Sequence, residues 1–438
     1  RGALALIRLA GPRALAILMQ LASRAEFTPR RATRMRLMHP VTHAPLDDAV
    51  VTWYAAPQSF TGDDVVELSV HGGLAVPASV VGACLAAGAR EAAPGEFTRR
   101  ALLAGKLDLL QAEAIADLID ARSQAAQQVA LAQLDGGLSR RLADLRAQCV
   151  GLEALLAYDI DFPEEDDGPV APARIARAVD ELLGALDALL ATAPAAPLVR
   201  EGAIVVLAGA PNAGKSALFN ALAGEARALV TDVPGTTRDA LEVTLDTPGV
   251  PLRLVDTAGL RETDDVVERL GIEVSARWLA RAHVVLACGE TPAAVAATEA
   301  AVRALLPAAR GDVPVLGVLT KQDAATGRDD DALRATSAER GTGLGALLAA
   351  VQGTVAARYG ALSPEVPRLT RERHQAAVRA ARDELAAFRD AWAGGAGVPA
   401  LVAAVHVRAA VIALDDVIGA VSLDDVLDRL FGEFCVGK

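Results

Sequence analysis

The sequence predicts a multidomain chain of α/β and α class. It comprises an N-terminal α+β domain (1–100), a helical domain built from two chain segments (101–198 and 361–438), and an inserted α/β domain (199–360). Three observations carry this. Short β-rich runs alternate with Ala/Leu helices at the start, helical periodicity dominates the two flanks, and strand–loop–helix units repeat between them at the spacing of a parallel sheet. A length of 438 residues suits about three domains.

In chain order, ALALIRLAG, AVVTWYA and VVELSV read as strands, and Ala75–Gly88 reads as a helix. From Glu96 the pattern turns helical. Leu138, Leu142, Leu145, Cys149, Leu152 and Leu156 follow at intervals of 4, 3, 4, 3 and 4, one face of a packed helix that makes Cys149 a core residue. The acidic DIDFPEEDDGPVAP breaks this helix, another runs to about Leu190, and ATAPAAP (191–197) reads as a linker. The inserted domain runs from strand AIVVLA (203–208) to about Tyr359. After SPEVP, residues 368–431 are helical again. Val378, Leu385, Phe388 and Trp392 share a face, and Ser422 with Asp425 makes a capping-box-like start to the last helix.

Composition narrows the function classes. With 52% apolar and 22% charged residues the chain is not disordered. A net charge of −12 excludes a broad bare surface for gripping nucleic acid, so any RNA contact is local or shared with a partner. Cys84, Cys149, Cys288 and Cys435 are far apart and read as reduced thiols. The longest uncharged stretch, Leu68–Ala89, holds His71, Pro77 and four glycines, and so reads as strand, loop and helix rather than a membrane span. The chain opens at Arg1 rather than Met, so a few residues are expected ahead of it, and the expected compartment is the cytoplasm. Only four of 43 basic residues are lysine (Lys106, Lys215, Lys321, Lys438), and asparagine occurs only at Asn212 and Asn220. Rarity ranks these as positions where that side chain is specifically needed.

GAPNAGKS (209–216) follows strand AIVVLA and opens helix KSALFNAL, the context of a phosphate-binding loop. Gly209 and Gly214 let backbone N–H groups approach phosphates, Lys215 reaches the terminal phosphates, and the Ser216 hydroxyl suits Mg²⁺. DTAG (256–259) ends the strand PLRLV, where Asp256 and the Gly259 amide can serve Mg²⁺ and a γ-phosphate. TKQD (320–323) ends the strand VPVLGVL, where GTPases carry N-K-x-D. Asp323 can accept both donors of guanine's Watson–Crick edge and Lys321 can lie along the ring, so GTP is expected over ATP. Thr320 stands in place of Asn, at the cost of at least one amide contact. Ser337 and Ala338 in ATSAERG occupy the place of a second base-contacting loop. Leu260 follows DTAG and cannot orient an attacking water. The acidic candidates are Glu262, Asp264, Asp265 and Glu268, and from spacing alone each also reads as a solvated charge.

Four blocks resemble the MnmE (TrmE) family of tRNA-modifying GTPases, and the resemblance spans the whole chain. They are SFTGDDVVELSVHGG (59–73), APGEFTRRALLAGKLDLLQAEAIADLID (93–120), TDVPGTTRDALE (231–242) with DTAGLRETDDVVERLGIE (256–273), and the terminal FCVGK (434–438). The resemblance implies a P-loop, Ras-like inserted domain with a GTP site formed by Asn212, Ala213, Gly214, Lys215, Ser216 and Ala217, with Thr231, Asp232, Val233, Pro234, Gly235, Thr236 and Thr237. Asp256, Thr257, Ala258 and Gly259 complete its phosphate side, and Thr320, Lys321, Asp323, Ser337 and Ala338 its base side. It implies Mg²⁺ on Ser216 and Thr237, and K⁺ on Asn212, Thr231, the Val233 backbone and Thr236 in place of an arginine finger. It makes Glu268 the hydrolytic carboxylate.

The resemblance further implies a homodimer through the N-terminal domains, with inserted domains that close on each other when GTP and K⁺ bind. A tetrahydrofolate (5-formyl- or methylene-) is implied at Arg8, Glu67, Lys106 and Lys438, where a glutamate can pair with a pterin edge and cations suit glutamyl carboxylates. Ala104 departs from the family's usual Asn. Cys435 is either a nucleophile toward the one-carbon unit or an inert thiol. His71 reads as structural, and His39 with His43 does not form a helical metal pair. The expected activity is K⁺-dependent GTP hydrolysis coupled, with an MnmG/GidA-type partner that alone carries FAD, to aminomethyl-type modification of carbon 5 of the tRNA wobble uridine. The alternatives are a ribosome-assembly GTPase, for which no basic RNA-binding module is found, and a folate-sensing switch or scaffold.

Overall fold

The computed structural model describes residues 2–22, 26–121, 123–161, 172–225, 227–229, 241–247, 249–256, 277–306, 312–323, 334–360, 366–393 and 400–419. Its first sheet is antiparallel: β1 (Leu4–Ala10), β2 (Thr33–Met38), β3 (Pro45–Tyr54) and β4 (Val65–His71), in the order β1-β4-β3-β2. Alternation sends Leu37, Val51, Leu68 and Val70 to one face, where α1 (Ala14–Leu21) and α2 (Ala75–Ala86) cover them with Leu18, Leu21, Val80 and Cys84. Strand β2 escapes the sequence reading because its arginines disguise it. As an edge strand it exposes Arg34 and Arg36 while burying Met35 and Leu37. Helices α3 (Glu96–Leu103) and α4 (Leu109–Asp120) follow.

Next come α5 (Gln124–Leu134), α6 (Gly137–Asp161), α7 (Pro172–Leu190) and α8 (Ala196–Glu201). Every member of the predicted stripe, Leu138, Leu142, Leu145, Cys149, Leu152 and Leu156, is buried. The predicted linker is not one. Residues 193–195 form a 3₁₀ turn that runs straight into α8, and Ala193, Ala195 and Ala196 are buried. Each proline sits at the start of its turn, where the missing N–H costs no hydrogen bond.

The inserted sheet contains β5 (Ala203–Ala208), β6 (Arg227–Leu229), β7 (Leu241–Asp246), β8 (Leu252–Asp256), β9 (Val284–Gly289), β10 (Val315–Leu319) and β11 (Arg334–Ala335). The order is β11-β10-β9-β5-β8-β7-β6, parallel from β11 to β8, with β7 and β6 added antiparallel. Helices α9 (Lys215–Glu225), α10 (Pro292–Leu305) and α11 (Leu344–Tyr359) complete it. Both faces are covered, which explains the unbroken apolar runs. Val205, Leu207 and Leu286 pack with Leu218, Leu222 and Leu347, while Ile204, Val206 and Val285 pack with Val302 on the opposite face. The chain leaves β5 toward β8 and its neighbour β9 toward β10, so connections from the C-terminal ends of these two strands run in opposite directions and open a crevice there.

Two late helices, α12 (Glu372–Ala393) and α13 (Ala400–Ile418), close the helical domain on the far side of the insertion. Gln133 Nε2 donates to the Arg368 carbonyl at 3.1 Å and to Thr370 Oγ1 at 3.0 Å, Arg371 pairs with Asp117 at 2.8 Å, and Arg382 with Asp187 at 3.1 Å. Val378, Leu385 and Phe388 are buried, and Trp392 stacks on Phe388. Among the described residues, Pro172–Glu201 is the one stretch long and apolar enough to cross a membrane. Its apolar residues Ile175, Val179, Leu182, Leu183, Leu186 and Leu189 are buried, and it packs against α6 and α12. The chain divides into two units, Arg1–Ala116 with Asp415–Lys438, and Asp117–Leu414.

Candidate functional site

The phosphate loop follows from backbone space. A side chain at Gly209 would place Cβ 2.6 Å from the Cys288 carbonyl oxygen, and Gly214 has φ +78°, so neither position accepts a larger residue without strain. Asn212 also holds a left-handed backbone, φ +63°. Lys215 is buried, and its ammonium donates to the carbonyls of Gly209 at 2.9 Å and Ala210 at 2.8 Å, which holds it against its own loop. Ser216 Oγ donates to Asp256 Oδ2 at 2.7 Å. Register explains that contact: Asp256 stands beside Leu207 across β5 and β8, one residue short of the end of β5, and is wholly buried. A hydroxyl and a carboxylate held this close are hard oxygen donors of the kind Mg²⁺ takes.

The base side is built from two loops tied to each other. Thr336 N–H donates to the Leu319 carbonyl at 2.7 Å and Gln322 N–H to the Thr336 carbonyl at 3.1 Å. Ser337 Oγ thereby reaches and donates to Asp323. Lys321, at φ +55°, pairs with Glu290 at 2.5 Å. Glu290, just beyond β9 after the run VVLACG, is a partner of Lys321 that the sequence did not disclose. Asn212, Ala213, Gly214, Thr320, Lys321, Asp323, Ser337 and Ala338 on loops, Lys215, Ser216 and Ala217 in the first turn of α9, and Asp256 at the end of β8 thus lie at the C-terminal edge of one sheet. The predicted Thr231, Asp232, Val233, Pro234, Gly235, Thr236, Thr237, Thr257, Ala258, Gly259, Leu260, Glu262, Asp264, Asp265 and Glu268 lie outside the described residues, as do Ser422, Asp425, Cys435 and Lys438.

In the N-terminal unit, β1 and β4 set Arg8 directly opposite Glu67, and the pair bonds from Nη2 at 2.7 Å and from Nε at 3.0 Å. The Arg8 guanidinium also lies 5.8 Å from the Phe60 ring centre and 5.6 Å from that of Phe97, aromatic partners the sequence did not disclose. Lys106 stands by the same loop as Phe60, its Cε 3.8 Å from the Cβ position of Gly62. Arg100 fixes that loop by pairing with Asp63 at 2.9 Å and Glu96 at 3.1 Å. Glu96 in turn accepts from Arg90 at 2.8 Å and from the Ala93 N–H at 2.9 Å. The Arg90 hydrogen bond, with those of Ala93 and Arg100, outweighs burial and lowers the Glu96 carboxyl to about 2.

His71 and His39 each meet a polar neighbour. His71 Nδ1 lies 2.7 Å from Asp47, and His39 Nδ1 accepts from the Val41 and Thr42 N–H groups within its own turn. Among the described residues no cluster of His, Cys, Asp and Glu could hold a metal ion. Cys84, Cys149 and Cys288 are free and buried, and burial pushes their thiols up to about 11, 11 and 12.

Comparison with known proteins now has a geometry to explain. The sequence model of the GTP-binding protein TrmE N-terminus matches residues 1–106, and that of the MnmE helical domain matches residues 109–435. The tRNA modification GTPase MnmE of Acidiphilium cryptum (strain JF-5) is 43% identical over 443 residues, covering 100% of this chain and 96% of its own. The protein of that name from Methylorubrum populi is 44% identical over 448 residues, covering 100% and 96%. That of Heliobacterium modesticaldum is 38% identical over 462 residues, covering 100% and 97%. Among solved structures, the G domain of the T. maritima FeoB iron transporter is similar at 23% identity, covering 36% of this chain and 98% of its own with a TM-score of 0.26. The fold assignment rests instead on the sheet topology above. Matched along its full length, the chain belongs to the MnmE family of tRNA modification GTPases.

Proposed function

We propose that the chain hydrolyses GTP and couples that hydrolysis to the modification of tRNA. The observation that carries this is the Ser216–Asp256 contact beneath a loop whose Lys215 is buried, in a chain of this family. Lys215 and the loop amides bind the phosphates, Ser216 and Thr237 would hold Mg²⁺, and Asp323 selects guanine. Asn212, Thr231, Val233 and Thr236 would hold K⁺, which supplies positive charge beside the transferred phosphoryl group. Glu268 orients the attacking water in place of the apolar Leu260.

The finer chemistry belongs to the same proposal. Two chains pair through their N-terminal domains in the cytoplasm, and a tetrahydrofolate binds at Arg8, Glu67, Lys106 and Lys438. An FAD-bearing MnmG/GidA-type partner completes the tRNA site, with Cys435 near the one-carbon unit. The arrangement Arg8–Glu67 supports this: an ion pair only about a quarter exposed, with two phenyl rings within 6 Å of the guanidinium, offers both a hydrogen-bonding edge and apolar surface to a ring system.

Two measurements test it. Glu268→Ala should abolish GTP turnover in K⁺ buffer while GTP affinity stays within about twofold, since the carboxylate acts on water. A large loss of binding would remove Glu268 from that role. Calorimetric titration with 5-formyltetrahydrofolate should show saturable binding that Lys438→Ala weakens. No binding by an intact dimer would leave a GTPase without the one-carbon site. In the reconstituted modification reaction, unchanged product from Cys435→Ser would assign the chain a switch or scaffold role.

A further inference from the structure

Thr320 occupies the position where N-K-x-D motifs carry an amide, and its hydroxyl does not serve the base edge. Thr320 is 3% exposed and its Oγ1 donates to the Ala213 carbonyl at 2.8 Å, across 107 residues of sequence. Its own N–H donates to the Gly289 carbonyl at 2.9 Å. One residue therefore ties the end of β10 to the phosphate loop and to the end of β9. The junction is close-packed: the Cβ position of Gly214 lies 3.3 Å from Thr320 Cβ and 3.4 Å from its Oγ1. The Ala213 carbonyl is thus held from outside its loop, two residues before the Lys215 ammonium and three before the Ser216 hydroxyl.

We infer that Thr320 is a positioning residue for phosphate binding: its hydroxyl fixes the phosphate loop relative to the base loop, and guanine selection is left to Asp323. This rests on the nucleotide-binding reading above. A hydroxyl spent on a buried backbone carbonyl has no second proton for a base, so the loss of the amide should cost base contact while preserving the bridge. Removing the hydroxyl leaves a buried carbonyl acceptor without its donor and frees the loop to shift, which weakens every ligand that uses the loop.

The test is the pair Thr320→Val, nearly isosteric without the hydroxyl, and Thr320→Ser, which keeps it. Affinities for GDP, inosine diphosphate and guanosine are measured by calorimetry in the full-length chain with Mg²⁺, with thermal unfolding followed in parallel to confirm folded protein. Thr320→Val should weaken GDP and inosine diphosphate alike, by about tenfold, leave guanosine within about twofold, and Thr320→Ser should restore most of the loss. A Thr320→Val protein that binds GDP like the parent would overturn the proposal, as would a loss for guanosine equal to that for GDP, which would mean that the hydroxyl reads the base. If Thr320→Val does not fold, Thr320→Ala replaces it under the same criteria. A parent chain that binds ADP as tightly as GDP would sink the guanine reading alone, and the bridge would then be judged on the loss of diphosphate affinity.

Discussion

At the scale of single residues, two glycines two positions apart separate backbone conformation from helix propensity. Gly343 caps α11 at φ +77°, and a Cβ there would stand 2.1 Å from the Ala335 carbonyl oxygen, a backbone atom that cannot swing away. Gly345 lies within the helix, exposed, with nothing within 4 Å of its Cβ position. Gly343→Ala should therefore lower stability by about 2 kcal/mol or more and loosen the Ser337 loop, while Gly345→Ala should raise it by about 0.5–1 kcal/mol. Urea unfolding midpoints of the two variants check this, and equal effects would refute it. Of the rare lysines, Lys215 donates to two carbonyls of its own loop and Lys321 pairs with Glu290 at the surface. The partner of Thr320 was illegible, because a hydroxyl's direction is set by a contact 107 residues away and not by its neighbours in the motif.

At the scale of elements, periodicity was the dependable signal and composition the weaker one. The α6 stripe was legible because six residues had to share one face, and each is buried. ATAPAAP misled because Ala and Pro are as suited to a helix start packed in a core as to a linker; burial decided between them. Strand β2 was hidden by charges that an edge strand turns to water. Helix α3 carries a pH prediction. Its Glu96 is held at about 2 against an ordinary value of 4.5, chiefly by Arg90, so it binds protons less readily folded than unfolded. The stabilisation it gives is complete above about pH 4.5 and is lost as the pH falls toward about 2. Glu96→Gln should cost on the order of 2 kcal/mol at pH 7, and the gap to the parent should narrow steadily between pH 4.5 and pH 3. A gap that stays constant over that range would dismiss the Arg90–Glu96–Arg100 cluster as a source of stability.

At the scale of the whole molecule, charge and connectivity matter more than any one contact. A net charge of −12 should make tRNA binding by the isolated chain weak, and tight, steeply salt-dependent binding in titrations at 50 and 200 mM salt would contradict a partner-supplied grip. Connectivity has a different consequence. The bundle joins Gln133 to Arg368 and Thr370, the first two 235 positions apart in sequence. On a ribosome adding about 5–20 residues per second, Gln133 waits roughly 10–50 seconds for the segment it binds. During that interval the side of α7 that packs against α12 is bare, while the inserted sheet has all its strands and can finish first. Synthesis itself thus selects the order of assembly, insertion before host, and makes the nascent chain a client for whatever shields apolar helices until translation ends.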